Sequence, residues 1–547
     1  MVRIDEEEDD SAPAAETKTQ ASPAVQVGCY LLEMFSVPLL RSHATVCLVD
    51  RDRLQLYHAN RSVILVSSAI NFSQGDGLDQ FIAVIIAFHR LSLDQNGLLH
   101  TFAKDNIKLV KNPNISSDDK AIQKGNQLVI KEAGSEKKIT VTLGEVISRE
   151  PATIGRSTVV LKATSDHWPN TNLVVKVSWP STGRVAESKF LEKATEEAKK
   201  TEEGWATKHL PQMLWTDDFV FGEKSTFASV ANLFKDAKFH EGKFVYEPRA
   251  LRIIIQEELH PLKSLGSVRE IGQVFVDIAC STGPLASQSL FTYTTLVHRW
   301  LRDHPGILHR DLSLNNIMCR IIEEMNGQGE QERKVYGVLT DYDLSSWTKD
   351  LKNDYTKTSQ QHTGTPPYMA QDLLKGTSAT HLYRHDLESF FYIMLLLCTR
   401  HTGGYMQDKF TRGPLQTVMR GGRRPYQDWF DEQSYTKLGA YKKDFLSNNV
   451  LIEPSRYFVD FRSWLNSLKS QISNGFSAET MHFNTVNAQL DLGCSEDEID
   501  PFDDETLGGY VTYSSFIKPV HRLKGELKGL VVRYGPEMVP PSPVNQA

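Results

Sequence analysis

His309-Arg310-Asp311-Leu312-Ser313-Leu314-Asn315-Asn316 sets a carboxylate and a carboxamide five residues apart. Phosphoryl transfer asks for that spacing. One acid takes the proton of an acceptor hydroxyl, and a carboxamide further along the same loop turns back to hold a magnesium ion bridging the phosphates of ATP. On this reading Asp311 is the base and Asn316 a metal ligand. An H-R-D tripeptide also arises by chance in surface turns, so its weight depends on the residues downstream.

Three pieces lie there in order. V-L-T-D-Y-D, Val338 to Asp343, is an apolar strand ending in an acid thirty residues after Asp311. Protein kinases place an Asp-Phe-Gly turn there, with the Asp on magnesium, and Asp341-Tyr342 fits its first two places. G-T-P-P-Y-M-A-Q-D, Gly364 to Asp372, reads as the end of an activation segment, with Thr365 where a hydroxyl meets the catalytic acid and shapes a peptide site. R-H-D-L-E-S-F-F-Y-I-M-L-L-L, from Arg384, opens an apolar helix with an acid. Asp386 is then expected under the catalytic loop, accepting backbone hydrogen bonds, because a buried acid needs such partners. Each piece alone could be an ordinary turn or core helix; in this order they point to one fold.

Upstream, N-L-V-V-K-V-S, Asn172 to Ser178, is a short apolar strand with one cation, and Lys176 is the candidate phosphate contact. R-V-A-E-S-K-F-L-E-K-A, Arg184 to Ala194, has helical spacing, with Ala186, Phe190 and Ala194 on one face. Glu187 is expected to pair with Lys176, with Glu192 as the alternative; a solvated charged helix is the bland reading. In A-T-I-G-R-S-T-V-V-L-K-A, from Ala152, Gly155 alone could let backbone amides approach phosphate. R-I-I-I-Q-E-E-L, Arg252 to Leu259, reads as a strand entering a hinge, where backbone groups near Glu257 to Leu259 would meet the adenine edge.

Together these pieces resemble the fungal-type protein kinase domain family, a divergent branch of the protein kinase-like superfamily. Near the start, G-C-Y-L-L-E-M-F-S, R-S-H-A-T-V-C-L-V-D-R-D-R-L-Q-L-Y and N-R-S-V-I-L-V-S-S resemble the family's segment preceding the kinase lobes. The resemblance implies an α+β, bilobal protein kinase-like fold, with a β-rich N-lobe and a helical C-lobe preceded by a small α/β segment. It also implies an ATP- and Mg2+-dependent transferase acting on Ser or Thr of protein substrates. The domains are then a disordered acidic tail at 1–24, the α/β segment at 25–145, an N-lobe at 146–260, a C-lobe at 261–470 and a partly flexible extension at 471–547. Within 25–145 the alternation predicts a strand meander and a helix from about Leu78 to Leu91, with Phe81, Ile85 and Phe88 on one stripe.

Composition agrees. The 547 residues carry 61 basic against 68 acidic side chains, a net charge of -7, which gives no electrostatic case for nucleic acid or a membrane surface. The six cysteines, Cys29, Cys47, Cys280, Cys319, Cys398 and Cys494, lack metal-ligand spacing and read as reduced, mostly buried thiols. The chain opens on an acidic stretch, and its longest apolar run, Phe390 to Cys398, is nine residues. That is too short to span a bilayer, so a soluble intracellular protein is expected. Two insertions stand out: polar Ile322 to Arg333, read as a solvated hairpin, and Ser/Thr/Gly-rich Cys280 to Thr295, where a helix should be continuous.

Four departures bear on activity. Ser313 stands where many Ser/Thr kinases have a Lys, Asp343 replaces the Gly of the metal-binding turn, Gln371-Asp372 replaces Pro-Glu, and the glycine loop is reduced to Gly155. Three functions stay open. A protein kinase is favoured by Arg310 beside Asp311 and by the G-T-P-P-Y motif. A small-molecule kinase of the aminoglycoside or choline type shares the acid-aromatic-acid turn, and a pseudokinase scaffold would explain the eroded loop. Arg310 is expected to face the activation segment, meeting either a phosphate on Thr356 to Thr363 or an acid such as Asp354.

Overall fold

Alternating apolar residues dictate most of the first part of the chain. The computed structural model describes residues 22–36, 41–92, 95–98, 103–104, 107–110, 124–132, 134–219, 230, 232–234, 246–279, 297–325, 329–350, 364–375, 380–406 and 409–530. The chain divides into two compact units, Met1–Arg184 with Gln212–Glu258, and Val185–Pro211 with Leu259–Ala547.

In the first unit, helix α1 (Pro23–Ser36) buries Val27, Leu31 and Phe35, one residue per turn. They pack on Ala44 and Ala59 of strands β1 (His43–Asp50) and β2 (Arg53–Asn60), paired antiparallel; β3 (Ile64–Val66) and β4 (Ile70–Asn71) complete this small sheet. Helix α2 (Gly77–Arg90) matches the predicted span. Its inward stripe is Phe81, Val84 and Phe88, while Ile85 is 48% exposed. The predicted stripe thus errs at one position.

The larger sheet comprises β5 (Ala103–Lys104), β6 (Ile107–Val110), β7 (Gln127–Lys131), β8 (Lys138–Arg149), β9 (Val159–Thr164), β10 (Leu173–Ser178), β11 (Met213–Phe219) and β12 (Leu251–Glu257). Its order is β11-β12-β10-β9-β8-β7-β6-β5, with every neighbouring pair antiparallel. The division expected at 145 falls inside β8, and the sheet runs on across it. The cause is shared burial: Ile130, Ile139 and Val141 join Leu161, Val175 and Ile253 in one core. Alternation marks a strand without naming its partner.

In the second unit come helix α3 (Glu187–Lys199), β13 (His260–Pro261), α4 (Val268–Ala279), α5 (Val297–Asp303) and β14 (Ile307–Leu308). The hairpin β15 (Ile317–Met325) and β16 (Gln331–Leu339) comes next, then β17 (Ser346–Trp347) and α6 (Tyr383–Arg400). After these are β18 (His401–Met406), β19 (Lys409–Thr417), α7 (Asp428–Asp431), α8 (Tyr435–Ser447), α9 (Arg462–Asp491) and α10 (Tyr513–Ile517). All eighteen residues of α6 are buried, so it is the axis of this unit. Phe275 of α4 meets Phe390 edge-on, with ring centres 5.3 Å apart, and Phe461 at 6.0 Å.

The polar stretch Ile322 to Arg333 forms the far end of the β15–β16 hairpin. Helix α9 passes residue 470 without a break, and beyond it Leu507, Val511, Phe516, Ile517 and Leu527 are buried. The segment through 530 is therefore packed rather than loose. Residues 1–21, the stretch 280–296 and residues 531–547 lie outside the described residues. Cys319 and Cys398 are buried and Cys47 half-buried, whereas Cys29 and Cys494 are exposed, against the expectation of mostly buried thiols. Among the described residues no helix is long and apolar enough to cross a membrane.

Helix α4 lies so close to β16 that only a glycine fits at 337. A Cβ there would stand 2.9 Å from Val274 O, 3.1 Å from Ile278 Cγ1 and 3.2 Å from Asp277 Cβ. Asp277 also accepts the Gly337 amide at 2.9 Å, pinning helix to strand. Gly337→Ala is expected to destabilise the fold by about 2 kcal/mol, as overpacking against backbone does. Thermal denaturation checks this; an unchanged midpoint would contradict the close approach.

Candidate active site

The β15–β16 hairpin is what brings the two halves of the site together. Its register pairs Ile317 with Leu339, so Asn316 and Thr340 are brought side by side at the open end. The Thr340 amide donates to Asn316 O at 2.9 Å, and its hydroxyl donates to the same oxygen at 3.2 Å. The loop 309–316 is closed on its other side by β14 pairing with β17.

Beneath the loop lies Asp386, fully buried. Its Oδ2 accepts from the Arg310 amide at 3.2 Å and from His298 Nε2 at 2.9 Å, and its Oδ1 accepts from His381 Nε2 at 2.8 Å. Burial alone pushes this carboxyl up, but His381 and His298 hold it well below the ordinary carboxylate range. Arg310 has φ of 69°, a left-handed conformation that costs a residue with a side chain on the order of 1 kcal/mol. The hydrogen bond from its amide to Asp386 holds it there. His309 is also buried, with Nε2 3.0 Å from Thr340 O and Nδ1 accepting from the Asp311 amide at 3.4 Å. Burial pushes its imidazole down to about 4, so the ring is neutral at pH 7.

Above this floor stand the residues expected to carry the chemistry. Asp311 is buried, and Thr365 donates its hydroxyl to Oδ1 at 3.2 Å. Asn316 donates through Nδ2 to Asp311 O at 2.8 Å, which ties down the nitrogen and leaves the carboxamide oxygen as the ligand atom. Arg310 donates to Ser346 Oγ on β17. Thr356, Thr358, Ser359 and Thr363, together with Asp354, lie outside the described residues.

Asp341 too has a left-handed backbone, φ 65° and ψ 73°. With Asp343 and Glu187 it forms a cluster whose ligand oxygens all lie within 4.8 Å of one another. Glu187 is buried and accepts from the Tyr342 amide at 3.0 Å, so α3 and the acid turn are joined. Phe190 against Trp347, ring centres 4.6 Å apart, adds an apolar contact between the same segments. Three carboxylate oxygens converging at this spacing offer the ligands a divalent cation takes. Carboxylate and carboxamide oxygens are the hard donors that magnesium takes, so Asp341, Asp343 and Asn316 fit the expected ion.

On the nucleotide side, Lys176 lies buried on β10 of the first unit, and Glu187 opens α3 of the second. Glu192, the alternative acid, is exposed and bonded to Lys189 at 2.9 Å. Gly155 lies between β8 and β9 with φ of 115°, which favours glycine. Its amide, however, donates to Arg61 O at 3.0 Å, and Arg61 Nη1 donates to Ala152 O at 2.7 Å. The turn after β2 thus holds the Gly155 loop through two hydrogen bonds at Arg61. Likewise the amides of Glu257 and Glu258 donate to Gln212 O at 3.1 Å and Asn172 O at 2.7 Å. Leu259, at the start of the second unit, has a buried side chain.

Several participants had no signal in the sequence. His298 and His381 flank Asp386, and neither belongs to a motif. Lys442, fully buried on α8, donates to the carbonyls of Pro366, at 3.4 Å, and Met369, and lies 4.1 Å from the ring centre of Tyr392. Burial pushes its ammonium down to about 7, with Glu388 acting the other way. Glu388 accepts the Gln371 amide at 2.8 Å, and Asp372 pairs with Arg384 at 2.9 Å. The G-T-P-P-Y segment therefore rests on buried charges from α6 and α8.

A family model described as fungal protein kinase matches residues 11–208 and 291–398, more than half the chain. The chain belongs to that family. Among solved structures it is similar to a chain in a structure of the CAK complex from Chaetomium thermophilum bound to ATP-γ-S, with 13% identity and a TM-score of 0.23. That alignment covers 47% of this chain and 62% of the other, so this chain spans less than two thirds of the solved one. So loose a likeness supports nothing further. No curated protein matches.

The acid cluster yields a direct test. Added Mg2+ should raise the thermal midpoint of the nucleotide-free protein, since an ion that binds the folded cluster stabilises it, and Asp341→Asn should lose most of that rise. Calorimetry with and without the ion reads both; equal midpoints throughout would refute a metal site.

Proposed function

We propose that this chain is an ATP- and magnesium-dependent protein kinase that transfers the γ-phosphoryl group to Ser or Thr hydroxyls of protein substrates. The observation that carries the proposal is the hydrogen bond from Thr365 to Asp311, which ties the G-T-P-P-Y segment to the base. An acceptor hydroxyl resting on that segment would give its proton to the Asp311 carboxylate as its oxygen attacks phosphorus. Asp311 keeps its aim because its main chain is held from both sides, by Asn316 at its carbonyl and His309 at its amide.

Asn316, Asp341 and Asp343 would hold magnesium, which when bound offsets the charge of the phosphates. Lys176 would supply a further cation on the nucleotide side. The Lys found two residues after the base in many kinases is Ser313 here, which is buried and whose carbonyl accepts the Asn316 amide at 3.1 Å. The loss of that Lys removes one donor for the moving phosphoryl, worth a few kcal/mol where such donors are preorganised. A slow enzyme is consistent with that.

A second reading, a kinase of small hydroxylated or aminated metabolites, draws on one observation: both acids of Asp341-Tyr342-Asp343 lie in the carboxylate cluster. The G-T-P-P-Y segment and its buried supports favour the protein substrate. A peptide array against an aminoglycoside and choline panel separates the two. Asp311→Asn should lower turnover at least about a hundredfold, in the range expected of a lost general base, while nucleotide affinity stays within about twofold. Turnover and nucleotide titration check both halves, and unchanged turnover would remove Asp311 from the role.

A further inference from the structure

We infer that Tyr513, well beyond the part of the chain that matches the family, is a positioning residue for the catalytic loop, acting through His298 and Asp386. Three hydrogen bonds make the connection. Tyr513 OH is 2.7 Å from His298 Nδ1, His298 Nε2 is 2.9 Å from Asp386 Oδ2, and the same Oδ2 accepts the Arg310 amide at 3.2 Å. His298 is thus bonded at both ring nitrogens, donating from Nε2 to the carboxylate and meeting the tyrosine hydroxyl at Nδ1. Burial pushes that hydroxyl's pKa well up, so it keeps its proton at any working pH.

The geometry gives the hydroxyl leverage. An imidazole bonded at one nitrogen can still rock about that bond; bonded at both, its plane is set. Rocking of His298 would move Asp386 Oδ2, which also anchors the strained backbone of Arg310, one residue before the base. Tyr513 is itself well seated. Its ring stacks on Tyr383 at 5.1 Å with planes 9° apart, and Tyr383 opens the helix that carries Asp386. Thr512 and Ser515 close a reciprocal cap at the start of α10, each accepting the other's amide at 3.0 Å. Trp464 of α9 donates to Phe516 O at 3.2 Å. Packing alone would need only the aromatic ring, so the buried hydroxyl aimed at His298 is the feature that calls for this role.

The inference rests on the kinase reading for one of its two measurements, and the other is independent of it. Full-length wild type, Tyr513→Phe and Phe516→Leu are compared. Phe516→Leu removes packing from the same short helix and leaves the hydrogen bonds in place. In hydrogen exchange, the peptide containing Arg310 should exchange faster in Tyr513→Phe and at the wild-type rate in Phe516→Leu, even where the latter has the lower thermal midpoint. In peptide phosphorylation, Tyr513→Phe should lower kcat by about three- to tenfold, the range of one buried hydrogen bond, with KM for ATP unchanged. Loop exchange unaltered in Tyr513→Phe, or equally altered in Phe516→Leu, would overturn the inference. A wild type that phosphorylates no peptide would sink the kinase reading, and the exchange comparison would still decide the role of Tyr513.

Discussion

A single ionised carboxylate with no exposure to water sets the terms for the second unit. Asp386 sits inside α6, and a bare charge there would be prohibitively costly. Its two oxygens are met by two imidazoles and one backbone amide, and that amide belongs to the residue before the proposed base. The constraint works in both directions. The loop supplies a donor that keeps the acid ionised, and the acid holds the loop in a conformation that Arg310 would not otherwise adopt.

The same logic of unfavourable groups held by their surroundings recurs above it. Asp341 occupies the left-handed region, and the three acids of the cluster crowd one another. Hairpin pairing between β15 and β16 supplies the compensation, since it fixes the ends of the loop and of the acid turn against each other whatever the length of the hairpin's far end. The polar insertion at that far end is therefore harmless to the site. Lys442 performs for the G-T-P-P-Y segment what Asp386 performs for the loop: a buried titratable group that ties the main chain in place through hydrogen bonds.

The first unit is built differently. Arg61, buried between Phe35 and Trp179, uses its guanidinium on Ala152 O and its carbonyl on the Gly155 amide. The segment ahead of the β-rich core thus braces the one glycine loop that the sequence offers for phosphate. The bracing fixes the shape of that loop through main-chain and guanidinium hydrogen bonds.

Local chemistry was legible in the sequence wherever function depends on residues close together along the chain. The His309 to Asn316 spacing, the acid after the apolar strand, the helix starting near Glu187 and the acid opening α6 are all short-range patterns, and the structure has each in its element. Family membership follows from those same motifs. What the tertiary structure alone decided is which distant groups meet. Strands β5 to β8 share a sheet with β9 to β12 because their apolar faces fill one core, and alternation is silent about partners. His298, His381, Lys442, Arg61 and Tyr513 carry no motif, since a buried charge or polar atom can be satisfied by any donor that packing brings within about 3 Å. Sequence spacing determined which candidate groups lie together along the chain; burial, which forces every charge to find a partner, determined what holds them.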